Sequence, residues 1–429
     1  MKLNFEDVDR HIIALMASKS ILFEEAKQLL NGSKLVLEAN EKLTSSYSLQ
    51  VAFVTCYNIS NRIFKGGVKC ILPENTPNLL KLKGETFNDV LNSLFEINEN
   101  VNVSDSTPRL LFGKTPQSEN EVEIICSGWQ GGLNFFKSEH YTLDNAPTSI
   151  PLGALLASSY GLFWAFDFTF EITNNLQNES FGYSLWDNSL DYNWNESIGE
   201  GPNKVKFPPK IWLVGLGHLG QAYLWTLLHF KNDFEVLLQD FDKLGAENLG
   251  SQIISFEKQI GKHKTRICAD FLDNAGISNK IIEKRFISSD QKDDSLMDYQ
   301  VLLTGLDSAS TRSIIEPSRF KICLDGATNG KLENFDSFTF RDLNLLKKKP
   351  NEIWNAVEEK TEVLHENLYN LVSEKGGCGV LTNFGISTPF VGLFGACILI
   401  SELLKSINEG RTNSIFSGKM RNSNSYNFV

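Results

Sequence analysis

The sequence predicts an α/β protein made of two similar halves, with a doubly wound, mostly parallel sheet in the second half. Strand-like and helix-like segments alternate through the second half, which is the pattern of a parallel sheet covered by helices on both faces. The first half repeats these elements more weakly. Each half closes with a long apolar helical pattern, PLGALLASSYGLFWAF in the first and FVGLFGACILISELLK in the second. The shared order indicates an ancient duplication.

Apolar runs locate the individual elements. In the second half, strands are predicted for KIWLVGLG, FEVLLQDFD, YQVLLTGLDS and KICLDGAT, and helices for QAYLWTLLHF, HKTRICADFLDNA and the stretch from TRSIIE. In the first half, strands are predicted for SKLVLEA, KGGVKCILPE and EVEIICSG. The closing segment of the second half is apolar nearly all round, so its helix should be buried.

Composition bounds the domains and the class of protein. The 429 residues are 41% hydrophobic and 22% charged, which is ordinary for a globular protein with two or three domains. Residues 174–207 are rich in Asn, Ser and Gly and predict a linker between domains at 1–173 and 208–429. The net charge of −11 argues against a nucleic-acid partner. No membrane-length apolar run or signal-peptide pattern is seen, so a cytoplasmic protein without a membrane partner is expected.

A glycine motif carries the first functional signal. Gly215, Gly217 and Gly220 form G-x-G-x-x-G between a predicted strand and a predicted helix, where backbone N–H groups approach phosphates. Asp240 follows at the end of the next strand, at a spacing that suits hydrogen bonds from ribose hydroxyls. These residues predict a Rossmann-like nucleotide site. By themselves they fit an NAD-dependent dehydrogenase equally well, although no catalytic His or Tyr follows at a useful place.

The segment after the glycine loop resembles that of ThiF, MoeB and ubiquitin-activating enzymes. Their pattern is D-x-D, then Asn, Arg and Gln, then G-x-x-K, and DFDKLGAENLGSQIISFEKQIGKHK matches it at Asp240, Asn248, Gln252, Gly261 and Lys264. GLDSASTR resembles the family's D-x-x-x-x-R, with Asp307 and Arg312. The resemblance covers about 220 residues in four ordered motifs. It implies two Rossmann-like ThiF-type halves, the first degenerate and the second an active adenylation domain.

The resemblance assigns roles to these positions. Lys264 is similar to the family's phosphate-binding lysine, and Asp307 to the carboxylate that holds Mg²⁺ with ATP. Asn248 and Gln252 correspond to polar groups around the ribose and phosphates. One departure is plain, because Ser251 stands where the family usually has an arginine. This loss of a phosphate cation allows a weakened enzyme or a non-catalytic scaffold as an alternative.

Arg10 is a candidate substitute for that arginine. FEDVDRHII resembles the family's amino-terminal R-x-x-R-Q-I helix, with Arg10 at the second arginine, which in relatives reaches an ATP site. The first half should not bind ATP itself, because LEANEKLTSSY, at the position of its glycine loop, contains no glycine. An exposed helix charge is the competing interpretation of Arg10.

Cys378 is the candidate nucleophile of a second step. It lies among glycines in SEKGGCGVLT, in a predicted loop near 360–380, at a position similar to that of the catalytic cysteine in autophagy-type activating enzymes. None of the seven cysteines forms a C-x-x-C pair, so the zinc site usual in MoeB and ThiF is not expected. A plain loop thiol is the alternative.

The function implied is activation of a ubiquitin-like protein, by adenylation, thioester formation on Cys378 and transfer to a conjugating enzyme. The two-half layout resembles activating enzymes of bacterial ubiquitin-like conjugation operons linked to phage defence, working as a monomer or a homodimer. The alternatives are a sulfur-carrier adenylyltransferase without a thioester and an enzyme that adenylates a ribosomal peptide. The latter would need a peptide-docking module that the first half does not display.

Overall fold

A computed structural model describes residues 9–138, 148–173, 179–191, 201–354 and 386–429. The chain forms two compact units. The amino-terminal unit consists of Glu24–Val205 with Thr226–Lys231, and the carboxy-terminal unit of the other described residues. Residues 9–23, predicted to belong to the first half, therefore lie in the carboxy-terminal unit.

The α-helices of the described residues are α1 (Arg10–Lys19), α2 (Phe23–Gly32), α3 (Tyr47–Ile63), α4 (Phe87–Leu94), α5 (Leu152–Phe170), α6 (His218–Leu228), α7 (Lys264–Asn274), α8 (Ala309–Ser313), α9 (Pro350–Trp354) and α10 (Pro389–Ile407). Side chains cap several of them in the usual way. Asp9 accepts a hydrogen bond from the His11 N–H at the start of α1, and Ser46 accepts one from the Leu49 N–H at the start of α3.

The amino-terminal unit contains a sheet in the order β2-β1-β3-β4-β5-β6-β7. Its strands are β1 (Lys34–Ala39), β2 (Gly67–Ile71), β3 (Arg109–Phe112), β4 (Glu121–Ser127), β5 (Gln130–Phe135), β6 (Phe181–Ser184) and β7 (Leu190–Asp191). The strands β2, β1, β3 and β4 are parallel, and β5 to β7 add antiparallel neighbours.

The carboxy-terminal unit contains a sheet in the order β10-β9-β8-β11-β12-β13-β14-β15. Its strands are β8 (Lys210–Val214), β9 (Glu235–Gln239), β10 (Ser278–Ile282), β11 (Val301–Thr304), β12 (Ile322–Thr328), β13 (Ser337–Asp342), β14 (Ile415–Lys419) and β15 (Asn422–Phe428). The strands from β10 to β12 are parallel, and the last three are antiparallel. This arrangement confirms the predicted fold class.

Both sheets follow the same plan, a parallel portion continued by antiparallel strands, and a 19-residue helix accompanies each (α5 and α10). Within the described residues, α10 is the one helix long and apolar enough to cross a membrane, and 89% of its most apolar window is buried. It contacts β12 and β13 as a core helix does. The prediction of a buried closing helix is therefore correct.

The predicted linker is wrong for part of its length. Residues in 174–207 form β6 and β7, which extend the amino-terminal sheet. Phe181 and Tyr183 are only 3% and 1% exposed, respectively. These aromatic side chains favour a strand and lie in the hydrophobic core, although the surrounding stretch is rich in Asn and Ser. The Asn- and Ser-rich composition of this stretch concealed the two strands.

Candidate active site

A cavity of about 710 Å³ lies in the carboxy-terminal unit at the carboxyl ends of its parallel strands. Its walls come from the residues that follow β8, β9, β10 and β11, and from the end of β12. The strand order reverses between β8 and β11, and ligands of open α/β sheets bind at this kind of crevice. The volume is within the range of about 300–1,000 Å³ usual for small-molecule sites.

The three glycines of the motif divide between two tasks. Gly215 and Gly217 line the cavity, and Gly215 has a φ of +87°, which favours glycine. A Cβ on Gly217 would meet no atom within 4 Å, so the backbone there is open to a ligand. Gly220 does not line the cavity. A Cβ there would lie 1.9 Å from the Gly215 carbonyl oxygen, so this glycine lets α6 pack against the loop.

Asp240 lines the cavity and also holds the glycine loop. Its Oδ2 accepts a hydrogen bond from the Leu216 N–H (N···O 2.6 Å), and its Oδ1 accepts one from the Asp242 N–H (2.8 Å). Burial raises the pKa of the Asp240 carboxyl, against the opposing effects of Lys264 and these N–H groups. The carboxylate therefore supports the loop in addition to the predicted ribose contact.

Lys264 is the first residue of α7, and its ammonium reaches the cavity beside Asp242. The distance from Lys264 Nζ to Asp242 Oδ2 is 3.1 Å, with side chains 9% and 48% exposed, respectively. The half-exposed Asp242 carboxylate is accessible to water, so it can be hydrated if the ammonium turns to a ligand. The lysine is thus held at the cavity and available to an anionic ligand.

The polar residues between Asp242 and Lys264 are organised by a buried network. Gln221 Nε2 donates to Gln252 Oε1 (2.9 Å). This bond fixes the orientation of the Gln252 amide and leaves its Nε2 group as the donor. Asn248 Oδ1 accepts from the Gly245 N–H (3.2 Å). Both lie at the cavity, together with Ser251, whose hydroxyl donates to the Asn248 carbonyl oxygen (3.3 Å).

Arg10 lines this same cavity from the start of α1. A Cβ on Gly250 would lie 2.8 Å from Asp9 Oδ1, so the beginning of α1 lies against the residue that precedes Ser251. Burial lowers the pKa of the Arg10 guanidinium, and the negative charge of Glu247 opposes that shift. The competing interpretation of Arg10 as a plain exposed helix charge does not fit this position.

Asp307 follows β11 and lies exposed at the cavity, with the Ser308 and Thr311 side chains nearby in its wall. Within the described ranges, no three His, Cys, Asp or Glu side chains group in a way that could hold a metal ion. Mg²⁺ is commonly bound by one or two carboxylates that it shares with phosphate oxygens. Asp307 therefore fits a Mg²⁺ that arrives with a nucleotide.

The cavity residues that sequence reasoning missed include His218, Phe241, Lys284 and Arg285. Phe241 is 45% exposed, and the Arg285 guanidinium lies 4.3 Å from its ring centroid, which makes a flat surface of the kind on which a base can stack. Lys284 pairs with Asp290 (2.8 Å). Burial lowers the pKa of His218 to about 4, so this imidazole is neutral near pH 7. Of these four residues, Phe241 could have been predicted from the sequence, because it lies within the D-x-D motif.

The cysteines of the described residues are poor nucleophiles. Burial raises the pKa of Cys56, Cys70 and Cys126 to about 12 and also raises the pKa of Cys268, Cys323 and Cys397. Their thiols therefore stay protonated near neutral pH. Cys378, the predicted nucleophile, lies outside the described residues, as does the rest of the predicted loop at 360–380.

The matches to known proteins show that the chain belongs to the superfamily of ThiF, MoeB and ubiquitin-activating enzymes, in agreement with its glycine loop and the ordered motifs after it. The predicted resemblance is thereby confirmed. Residues 207–410 match the family described as the BilD C-terminal domain, and residues 34–185 match the BilD N-terminal domain.

The chain is similar in sequence to two curated proteins. The bacterial E1-like protein BilD of Collimonas sp. is 25% identical over 417 residues, which cover 94% of this chain and 88% of that protein. The NEDD8-activating enzyme E1 catalytic subunit of Saccharomyces cerevisiae is 26% identical over 132 residues, 28% of this chain and 44% of that protein.

Among solved structures, the E. coli tRNA N6-threonylcarbamoyladenosine dehydratase TcdA has a TM-score of 0.34 at 16% identity. The match covers 46% of this chain and 85% of that chain. PaaA has a TM-score of 0.35 at 12% identity, with coverages of 51% and 62%. Similarity at this level says nothing about activity.

Proposed function

We propose that this chain uses ATP and Mg²⁺ to activate the carboxyl terminus of a ubiquitin-like protein. The observation that carries the proposal is the meeting, in one cavity, of an open glycine loop, the cations Lys264 and Arg10, and the exposed carboxylate Asp307. The full-length similarity to a bacterial E1-like protein supports the choice of a ubiquitin-like substrate.

The chemistry needs this arrangement of charge. A carboxylate oxygen of the substrate attacks the α-phosphorus of ATP, the bond to the β-phosphate breaks, and pyrophosphate leaves with its electron pair. Two anions must approach each other, so fixed cations lower the barrier. Lys264 and Arg10 supply positive charge, Gly217 leaves open space for the phosphates, and Asp307 would hold Mg²⁺, which would neutralise further phosphate charge. Phe241 with Arg285 offers a surface for the base.

In a second step, the Cys378 thiolate attacks the acyl carbon of the adenylate. A thioester forms and AMP leaves. The six described cysteines are disfavoured as thiolates, and Cys378 is the remaining cysteine of the seven. The thioester would then pass to a conjugating enzyme. Action in the cytoplasm and in phage defence belongs to the same proposal.

The proposal is tested by ATP–pyrophosphate exchange with a purified bacterial ubiquitin-like protein that ends in a free carboxylate. Exchange should depend on that protein, because its carboxylate is the attacking group. The matched control is the same protein with its terminal carboxylate amidated, which should give only background exchange. Equal exchange with both forms, or with neither, would overturn the proposed substrate.

Arg10→Ala should slow exchange by about a hundredfold or more, since one group that stabilises transition-state charge contributes about 10²–10³ in rate. Arg10→Lys should retain part of the rate. The matched control is Lys19→Ala, at the opposite end of α1 and absent from the cavity wall. An Arg10→Ala variant with the wild-type rate would show that another residue compensates for Ser251.

A further inference from the structure

The Asp307 carboxylate is positioned by its loop alone. Within the described part of the chain it forms no ion pair, and the loop runs from Gly305 to the start of α8 along the cavity. The Gly305 N–H donates to the Val214 carbonyl oxygen (3.0 Å), which ties only the beginning of the loop to β8. Whatever fixes the residue next to Asp307 therefore decides where its carboxylate points.

That residue, Leu306, is fixed by an arginine. The Arg312 Nη2 group donates to the Leu306 carbonyl oxygen and also to the Gly326 carbonyl oxygen (3.1 Å). Its Nε donates to Asp325 Oδ1 (3.0 Å). One planar guanidinium thus joins the loop to the end of β12, a bridging geometry that a lysine ammonium reproduces poorly.

Asp325 is the fixed point of this arrangement. Its side chain is fully buried, and Oδ1 also accepts a hydrogen bond from the Thr304 hydroxyl (2.8 Å). A second cation, Arg341, pairs with the other oxygen, with Nη1 at 3.5 Å from Oδ2. Both guanidinium groups lie near the Trp354 ring, at 5.9 Å and 5.7 Å from its centroid.

Two arginines therefore share one buried carboxylate, and they differ in their relation to the Asp307 loop. Arg312 also binds the loop before Asp307, whereas Arg341 has no hydrogen bond to that loop and does not line the cavity. A purely structural role for the cluster would make the two arginines similar in importance to ligand binding. A role in orienting Asp307 would make them different.

We propose that Arg312, anchored by Asp325, is a positioning residue that holds the Asp307 loop ready for a magnesium-bound nucleotide. This inference rests on the proposed function. A loop left free would have to be ordered during binding, and that loss of entropy would weaken the metal-dependent part of the affinity. The contacts to phosphate and base made elsewhere in the cavity would keep their strength.

The test is equilibrium binding of a fluorescent ATP analogue to the full chain, with Mg²⁺ and with EDTA. Wild type should bind more tightly with Mg²⁺, and Asp307→Asn should lose that gain. Arg312→Lys should lose about tenfold or more of the same gain, since partners that orient metal ligands contribute about 10–100-fold. Because Arg312 lines the cavity, binding in EDTA should weaken too, but by a much smaller factor. Arg341→Lys, the matched control, should retain the gain.

Three results would overturn the inference: a full Mg²⁺ gain in Arg312→Lys, an equal loss in both arginine variants, or an equal loss in EDTA. In the presence of Mg²⁺, the double variant Asp307→Asn/Arg312→Lys should show no smaller a gain in affinity than Asp307→Asn alone, because both changes remove the same Mg²⁺-dependent contribution. If Arg312→Lys does not fold in a thermal-unfolding measurement, Arg312→Gln, which keeps one donor for the Leu306 carbonyl oxygen, replaces it. Failure of wild type to bind the analogue would refute the proposed function instead.

Discussion

Asp307→Ala and Lys264→Met should each lower the rate of ATP–pyrophosphate exchange by about a hundredfold to a thousandfold or more. Each change removes a charge that is placed to neutralise phosphate in the transition state, and groups of this kind contribute about 10²–10³ in rate. Methionine preserves the buried stem of Lys264, whose side chain is 9% exposed, so that only the ammonium is lost. The rate is measured by incorporation of labelled pyrophosphate into ATP.

The fold should survive both changes. Asp307 is exposed, and the Asp242 partner of Lys264 is half exposed, so neither needs a buried counter-charge. The buried Asp240 loses the favourable charge of Lys264 in the second variant but keeps its hydrogen bonds from the Leu216 and Asp242 N–H groups. Asp294→Ala and Lys262→Met are matched controls, because both residues are exposed and neither lines the cavity. Normal exchange in the Asp307 variant would refute the assignment of the metal-bound phosphate site to this cavity.

Cys378→Ala should eliminate the enzyme–substrate adduct entirely while leaving pyrophosphate exchange near the wild-type rate. Adenylation needs only the cavity, whereas the adduct needs a thiol, so the two steps separate in this variant. The adduct is measured as a band shift on a gel without reductant that disappears when a thiol reductant is added. Cys378→Ser should give a shifted band that resists reductant if the hydroxyl traps an ester.

Cys70→Ser is the matched cysteine control. Cys70 is the described cysteine that is not fully buried, and burial still raises its pKa to about 12, so its loss should not affect the adduct. Adduct formation by Cys378→Ala would place the nucleophile elsewhere. If wild type exchanges pyrophosphate but never forms an adduct with its partner, the sulfur-carrier activity without a thioester becomes the better description.

The parts of the fold and site that could be predicted depend on short, continuous stretches of sequence. The apolar strand before Gly215, the close spacing of the glycines and the run from Asp240 to Lys264 each lie in one strand–turn–helix unit, so local patterning specifies them. The parallel strands β8, β9, β11 and β12 were found for the same reason. Their carboxyl ends then meet at one cavity as a consequence of the parallel topology.

What could not be predicted depends on contacts between distant segments. The pairing of Arg285 with Phe241 exists only because β9 and β10 are neighbours, and β10 has too few apolar residues to stand out as a strand. Strands β13 to β15 are antiparallel additions with polar sequences. The double duty of Asp240 was also hidden, because a sequence does not reveal which N–H groups a carboxylate accepts.

The placement of α1 has a consequence for biosynthesis. This helix is synthesised long before the segments that it lies against, which are Gly250 and the turn Leu332–Asn334. At about 5–20 residues per second, Gly250 follows on the order of ten to fifty seconds later. Throughout that interval Ile12, Ile13 and Leu15, buried in the finished protein, lack this surface. Expression of residues 208–429 as a separate fragment would remove α1 permanently, so a dissected carboxy-terminal unit should carry residues 9–23 on a linker.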